Sequence, residues 1–294
     1  MFARKRGVAL YLAGGVVRDL LLGLPIRDLD LVVEAEGIEF ARDVAAQLAA
    51  SIKEHGRFGT AALGLPNGEK IDVASTRLET YAYPGALPAI VSGASIEEDL
   101  ARRDFTVNAM AIELEPRSRH IDPFGGVEDL ERGVIRQLHD RCFLDDPTRA
   151  FRAVRYANRL GFRIGAATRK NIVVSLRHGA LGRMSGDRLR RELRLILEEP
   201  ERGRAVAKLG ALGLSGALDP ALARDRRAAA RVARAELLSA SVEGKLTWLC
   251  YLLAWMWQAG EREADADRDH RQGDDGALQG PVGQADDLVR PEDG

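Results

Sequence analysis

The sequence is poor in cysteine and has no long apolar run. Cys142 and Cys250 are its only two cysteines in 294 residues, and they lie far apart. They suggest neither a disulfide framework nor a zinc site, and they fit a reducing cytoplasm. No apolar stretch approaches the roughly 18 residues that a transmembrane helix needs. The basic start, Met1 to Arg6, leads into a short apolar segment broken by Gly14-Gly15, so no signal peptide is read. The five histidines show no ligand spacing, and no Ser-His-Asp set is apparent. Charge of one sign is also missing, since the formal net charge is only −1. That total hides a gradient: arginines crowd the segment from Arg141 to Arg234, and acids crowd 261–293. A near-neutral sum therefore does not exclude an RNA partner. What matters is whether the arginines share a face.

Organisation follows from hydrophobic periodicity. Strands are predicted over Val8–Leu12, Leu29–Val33 and Asn108–Leu114, with helices over Val16–Leu22 and Ile38–Ala49. Thr60–Leu65 and Lys70–Ala74 pair as a hairpin across Pro66-Asn67-Gly68. This predicts an α+β head with a mixed sheet over residues 1–140. From about Asp146 the pattern changes. No proline occurs between Pro147 and Pro200, and Leu189, Leu193, Ile196 and Leu197 share one helical face. Residues 141–260 are read as an all-helical neck and shortened body. Within them Leu246–Trp257 is apolar enough to predict a buried helix. The final segment, 261–294, is rich in Asp, Gly and Gln with almost no apolar residues, a composition that predicts disorder.

The chemistry concentrates between Gly14 and Asp30. Gly14-Gly15 opens a helix that carries Arg18, and after a turn Asp28 and Asp30 head the apolar run Leu31-Val32-Val33. Residues i and i+2 of a strand point to the same side, so the two carboxylates aim at one place. Two hard oxygen donors beside a glycine turn suit a nucleotide-bound Mg2+. Glycine lets backbone amides approach a phosphate. Asp-x-Asp alone is usually a solvated strand end, and Gly-Gly alone is usually a turn. Their combination in one strand–turn–helix–turn–strand unit is what carries weight.

Two further blocks stand out. Arg102-Arg103-Asp104, followed by Asn108, sets a cationic fork beside an acid that can hold it, which suits a triphosphate or a ribose hydroxyl. Surface ion pairs at a helix end are the other reading. Asp145-Asp146-Pro147 precedes Arg149, Arg152 and Arg155. Asp146 suits an N-cap with Pro147 at the first helical position, and the arginines recur at i, i+3 and i+6 beside a seam of Phe151 and Val154. Asp146 and Arg149 present an acceptor and donors to a base edge. Asp72 is either a third carboxylate near the metal or a strand-edge acid. Asp122 to Leu130, with Gly125-Gly126, reads as a hinge or as an ordinary turn. Arg188 to Leu193 reads as a salt-bridged helix.

These motifs, in this order, resemble the class II tRNA nucleotidyltransferase (CCA-adding) and bacterial poly(A) polymerase family. The likeness spans residues 8 to about 200 and includes Gly-Gly-x-Val-Arg-Asp-x-Leu-Leu-Gly, Asp-x-Asp, the Arg-Arg-Asp-Phe-Thr-x-Asn-Ala block and an Asp-Asp-x-x-Arg variant of its base-reading motif. Asp145 stands where the family has glutamate. The resemblance implies a polymerase-beta-like nucleotidyltransferase head and template-independent addition of all or part of CCA to the tRNA 3′ end, from CTP and ATP. It implies Mg2+ on Asp28 and Asp30, triphosphate contacts from Gly15 and Arg18, and ribose recognition by Arg103 and Asp104 with support from Asn108. It further implies base reading by Asp146 and Arg149, with nearby charge from Arg152 and Arg155. Glu79 to Pro88 lies where the family carries a loop that switches specificity. Alternatives are poly(A) synthesis, a small-molecule nucleotidyltransferase, and a non-catalytic RNA-binding homologue.

Overall fold

The structure is a computed structural model that describes residues 2–26, 29–115, 119–240 and 247–257. Arg27 and Asp28, and the whole of 258–294, lie outside the described residues. In the head the elements are α1 (Phe2–Arg6), β1 (Leu10–Ala13), α2 (Gly15–Leu21), β2 (Leu29–Val33) and α3 (Gly37–Leu48). Then come β3 (Ser51–His55), β4 (Thr60–Gly64), β5 (Lys70–Ser75), β6 (Arg77–Thr80), β7 (Ala89–Ser92) and α4 (Ile96–Ala101). Next are β8 (Ala111–Glu115), β9 (His120–Ile121), α5 (Gly126–Glu131) and β10 (Val134–Ile135). The helical part holds α6 (Cys142–Asp145), α7 (Thr148–Arg159), a short β11 (Arg163–Ile164), α8 (Ala166–Arg177) and α9 (Gly186–Glu198). It ends with α10 (Arg202–Ala211), α11 (Leu214–Leu218), α12 (Pro220–Arg224) and α13 (Ala228–Ala240).

Seven strands form one mixed sheet in the order β3-β4-β5-β2-β1-β8-β9. Only β2 and β5 run parallel within it, and their register sets Asp30 opposite Asp72. The predicted hairpin is present as antiparallel β4 and β5. Its alternation explains it: Ala61, Leu63, Ile71 and Val73 turn inward and pack with Phe40 and Ala41 of α3. A separate antiparallel pair, β6 and β7, stands off the main sheet. Ser95 and Glu98 form a capping box that starts α4.

Two expectations change. The strand predicted from Asn108 begins at Ala111, because Thr106–Asn108 form a 3-10 turn whose polar side chains are committed elsewhere. The Gly125-Gly126 stretch, which reads as a hinge or an ordinary turn, leads into α5 with Gly125 at its N-cap. Asp122 accepts from the Gly126 and Val127 amides, and a Cβ on Gly126 would lie 2.5 Å from the Thr106 carbonyl oxygen. The apolar helix, described over 248–257, is buried on one face only. Trp255 is 1% exposed and Leu253 is 65% exposed, because residues 251 and 255 face the core and 249 and 253 face away.

The largest apolar cluster crosses from head to neck. It joins Val17, Phe105 and Met110 to Phe143, Phe151, Val154 and Leu197. This packing sets α7 among α6, α9, α10 and the β10–β11 pair, beside the cleft described next.

Candidate active site

A cleft of about 580 Å³ opens between the sheet, α2 and the neck helices. Its floor starts at Gly14, where φ is +88°. A Cβ there would displace the Arg103 guanidinium, and the left-handed bend itself calls for glycine. Gly15, Arg18 and Asp30 line the cleft. Asp30 has Asp72 as its neighbour across the parallel strand pair. Asp72 is exposed and is not part of the cleft wall. Asp28 lies outside the described residues, and among the described residues no group of three or more His, Cys, Asp or Glu is placed to hold a metal. Asp30 and Asp72 are register partners on adjacent strands, and carboxylate oxygens are the donor type a divalent cation takes.

Arg18 is 3% exposed. Its Nη1 donates to Asn108 Oδ1 at 2.6 Å and its Nε to Asp19 Oδ1 at 2.8 Å. Asn108 Nδ2 in turn donates to Asp104 Oδ1 at 3.0 Å, and Arg152 Nε donates to Asp104 Oδ2 at 2.8 Å. A continuous polar chain therefore runs from the head helix α2 to the neck helix α7. Burial works to raise the Asp104 carboxyl, but Arg152, Asn108 and Arg149 outweigh it and hold it below the usual carboxylate range. Arg103 is fixed by Asp99 at 2.9 Å, and the same buried Asp99 takes Arg102 at 2.7 Å. The acid that holds both arginines is Asp99, not the adjacent Asp104 that the sequence offered, because Asp104 is committed to Asn108 and Arg152.

The neck supplies the opposite wall. Asp146 Oδ1 accepts from the Thr148 amide at 3.0 Å and from Thr148 Oγ1 at 2.6 Å at the start of α7, where Pro147, one residue later than expected, is the N-cap. It also accepts from Arg188 Nη2 at 2.7 Å. Arg149, 6% exposed, donates from Nη2 to the Arg102 carbonyl at 2.7 Å and to Tyr81 Oη at 3.4 Å. Its Nη1 faces Cys142 Sγ at 3.6 Å. Burial pushes that thiol up to about 12, against the pull of Arg149. Arg152 and Arg155 also line the cleft, and Arg155 faces Glu192 at 3.9 Å. Burial raises the Glu192 carboxyl despite the neighbouring arginines. Asp145 pairs instead with Arg141 at 3.2 Å and is not a cleft residue.

Glu79, Tyr81, Tyr156 and Glu192 are among the cleft residues to which sequence reasoning gave no individual role. Tyr156 did carry a signal, since it follows Arg152 by four residues on the same helix. Glu79 and Tyr81 sit at the start of the loop singled out as specificity-determining. Their two-residue spacing at the end of β6 puts both on one side.

The sheet, the glycine-headed helix and the arginine-lined neck define a nucleotidyltransferase head on a helical neck. Residues 10–136 match the family model described as the poly A polymerase head domain. The chain is 46% identical over 215 residues to an A-adding tRNA nucleotidyltransferase of Geobacter sulfurreducens, covering 72% of this chain and 24% of that protein. It is 36% identical over 217 residues to a CC-adding tRNA nucleotidyltransferase of Deinococcus radiodurans, covering 72% and 56% respectively. A CCA-adding enzyme in an apo form superposes with a TM-score of 0.80 at 37% identity, over 87% of this chain and 61% of that one. A tRNA nucleotidyltransferase complexed with a primer tRNA and an incoming ATP analogue gives a TM-score of 0.76 at 32% identity, over 87% and 75%. The chain belongs to the class II tRNA nucleotidyltransferase family. It spans about a quarter to a little over half the length of these two curated relatives. No helix among the described residues is long and apolar enough to cross a membrane.

Proposed function

We propose that the chain adds AMP to the 3′ end of a tRNA that already ends in CC. The observation that carries this is the facing of Asp30 on the floor by the Asp146–Arg149 pair on the neck, within one cleft. The 46% likeness to an A-adding enzyme, against 36% for a CC-adding one, supports the final step over the earlier two. In this reading the primer 3′-hydroxyl attacks the α-phosphorus of ATP, a phosphodiester bond forms, and pyrophosphate leaves with the electrons of the broken α–β bond. Asp28 and Asp30 would hold Mg2+, which supplies charge neutralisation at the reacting phosphate, and Asp72 could lend a third oxygen. Gly15 and Arg18 would meet the triphosphate. Arg103 and Asp104 would hold the ribose, with Asn108 fixing both Arg18 and Asp104. Asp146 and Arg149 would read the adenine edge, and Arg152 and Arg155 would supply field. Much of the catalysis would be positioning. Two free cysteines, one buried beside Arg149, fit a cytoplasmic setting.

The test is single-nucleotide extension of tRNA transcripts ending before CCA, after C and after CC, each with labelled CTP or ATP. AMP addition to the CC end alone, abolished by Asp30→Ala, is the expected result. CTP addition would make it a CC-adding or full CCA enzyme. Long adenylate tails on any RNA would make it a poly(A) polymerase, and binding without incorporation a silent homologue.

A further inference from the structure

We infer that Tyr156 is a positioning residue for nucleotide binding, locking the phosphate-side arginine of the head to two arginines of the neck around one aromatic ring. The inference rests on the nucleotide-binding reading above. The guanidinium carbons of Arg18, Arg152 and Arg155 lie 5.1, 5.4 and 5.1 Å from the ring centroid of Tyr156. Arg152 Nη2 also donates to the Tyr156 hydroxyl at 3.1 Å. Phe105 meets the ring edge-on, with centroids 6.0 Å apart and planes at 82°, which fixes its orientation.

Three like charges at this spacing repel one another, and more strongly in a partly desolvated cleft than in water. Asp19, Asp104 and Glu192 offset that charge from behind and from the sides. None of them links Arg18 directly to Arg152 or Arg155. The aromatic face does, because its negative quadrupole attracts each cation. The contacts close a loop: Arg18 to Asn108, to Asp104, to Arg152, to the Tyr156 ring, and back to Arg18. The head helix α2 and the neck helix α7 are thereby held at one separation. That separation is the distance between the phosphate contact and the base-reading pair. Removing the ring frees the guanidiniums to turn toward their separate acids, and the polyphosphate site loosens.

The experiment compares Tyr156→Phe, Tyr156→Met and Tyr156→Leu in the full chain. Each is checked by thermal melting, then by calorimetric binding of Mg-ATP and of inorganic triphosphate, then by AMP addition. Phe keeps the ring, and binding within about twofold of wild type is expected. Met fills the space without a π face, and about tenfold weaker ATP binding is expected, with KM rising more than kcat falls. Leu serves the same purpose if the Met variant melts early. Equal binding by the Phe and Met variants overturns the inference, whether both are weak or both are unchanged. Failure of wild type to bind either anion overturns it together with the proposed function. Wild-type binding without incorporation on any RNA end removes only the proposed reaction, and the Phe–Met comparison still decides the role of Tyr156.

Discussion

Asp104 sits where burial and charge oppose each other. Burial alone would favour its protonated form, yet Arg152 and the Asn108 amide stabilise the anion more strongly. Its pKa in the fold is therefore lower than in the unfolded chain, where about 3.9 is usual. A group of this kind adds its full contribution above the unfolded pKa and loses it as pH falls through the folded value. Asp99 behaves alike: Arg103 and Arg102 overcome its burial and keep its carboxyl low. Stability should thus fall on the acid side, below about pH 4. The measurement is melting temperature against pH for wild type and Asp104→Asn. The variant melts lower at neutral pH, because Arg152 loses its carboxylate, but its curve is flatter below pH 4. A variant curve parallel to wild type in that window would show that Asp104 is not the titrating group.

The β6–β7 hairpin and the α9 helix meet over Asp146, the acid proposed to read the base. The Gly85 amide donates to the carbonyls of Leu144 and Asp145, both at 3.2 Å. The Gly85 carbonyl accepts from Arg188 Nη1 at 3.3 Å, while Arg188 Nη2 holds Asp146 at 2.7 Å. One arginine on α9 therefore ties the loop suspected of setting specificity to the residue expected to read the base. Arg188 is about one-fifth exposed, so solvent screening discounts the pair to roughly 1 kcal/mol, within the range for a charge-assisted hydrogen bond so weakened. Arg188→Ala should cut the preference for ATP over CTP on a CC end about fivefold, and should lower the rate with ATP less. Competition between the two nucleotides measures it, and an unchanged ratio would separate Arg188 from base selection. Most of this layout was legible in the sequence. The Leu29–Val33 strand and the β4–β5 hairpin announce themselves through periodicity and turn chemistry. Asn108 was named as a supporting residue but placed in a strand: its side chain bonds Arg18, ninety residues earlier in the chain, and that tertiary demand replaces the strand start with a 3-10 turn. Glu192 and Arg188 were readable only as a salt-bridged helix, because their partners lie on other elements brought close by packing. The apolar helix at 248–257 misled for a simpler reason, since strong hydrophobicity all round does not say which faces find a partner.

Head and neck share one apolar cluster, and this bears on how the whole chain holds the cleft together. Val17 and Phe105 come from the head, Phe151 and Val154 from α7, and Trp255 from the helix at 248–257, all in the same contiguous core. If the cleft depends on that continuity, the two parts cannot loosen separately without exposing it. The three tryptophans, Trp248, Trp255 and Trp257, all lie on the last described helix, so their fluorescence reports only that end. Far-UV circular dichroism reports the sheet and every helix. The two signals should therefore lose structure at the same denaturant concentration. Phe151→Ala, at a fully buried position in the middle of the cluster, should cost about 3–5 kcal/mol and shift both curves together. Two separated transitions, or a shift in fluorescence alone, would mean that the neck is an independent unit. The Asp30 floor and the Asp146–Arg149 wall would then be joined by little more than the polar chain through Asn108 and the ring of Tyr156.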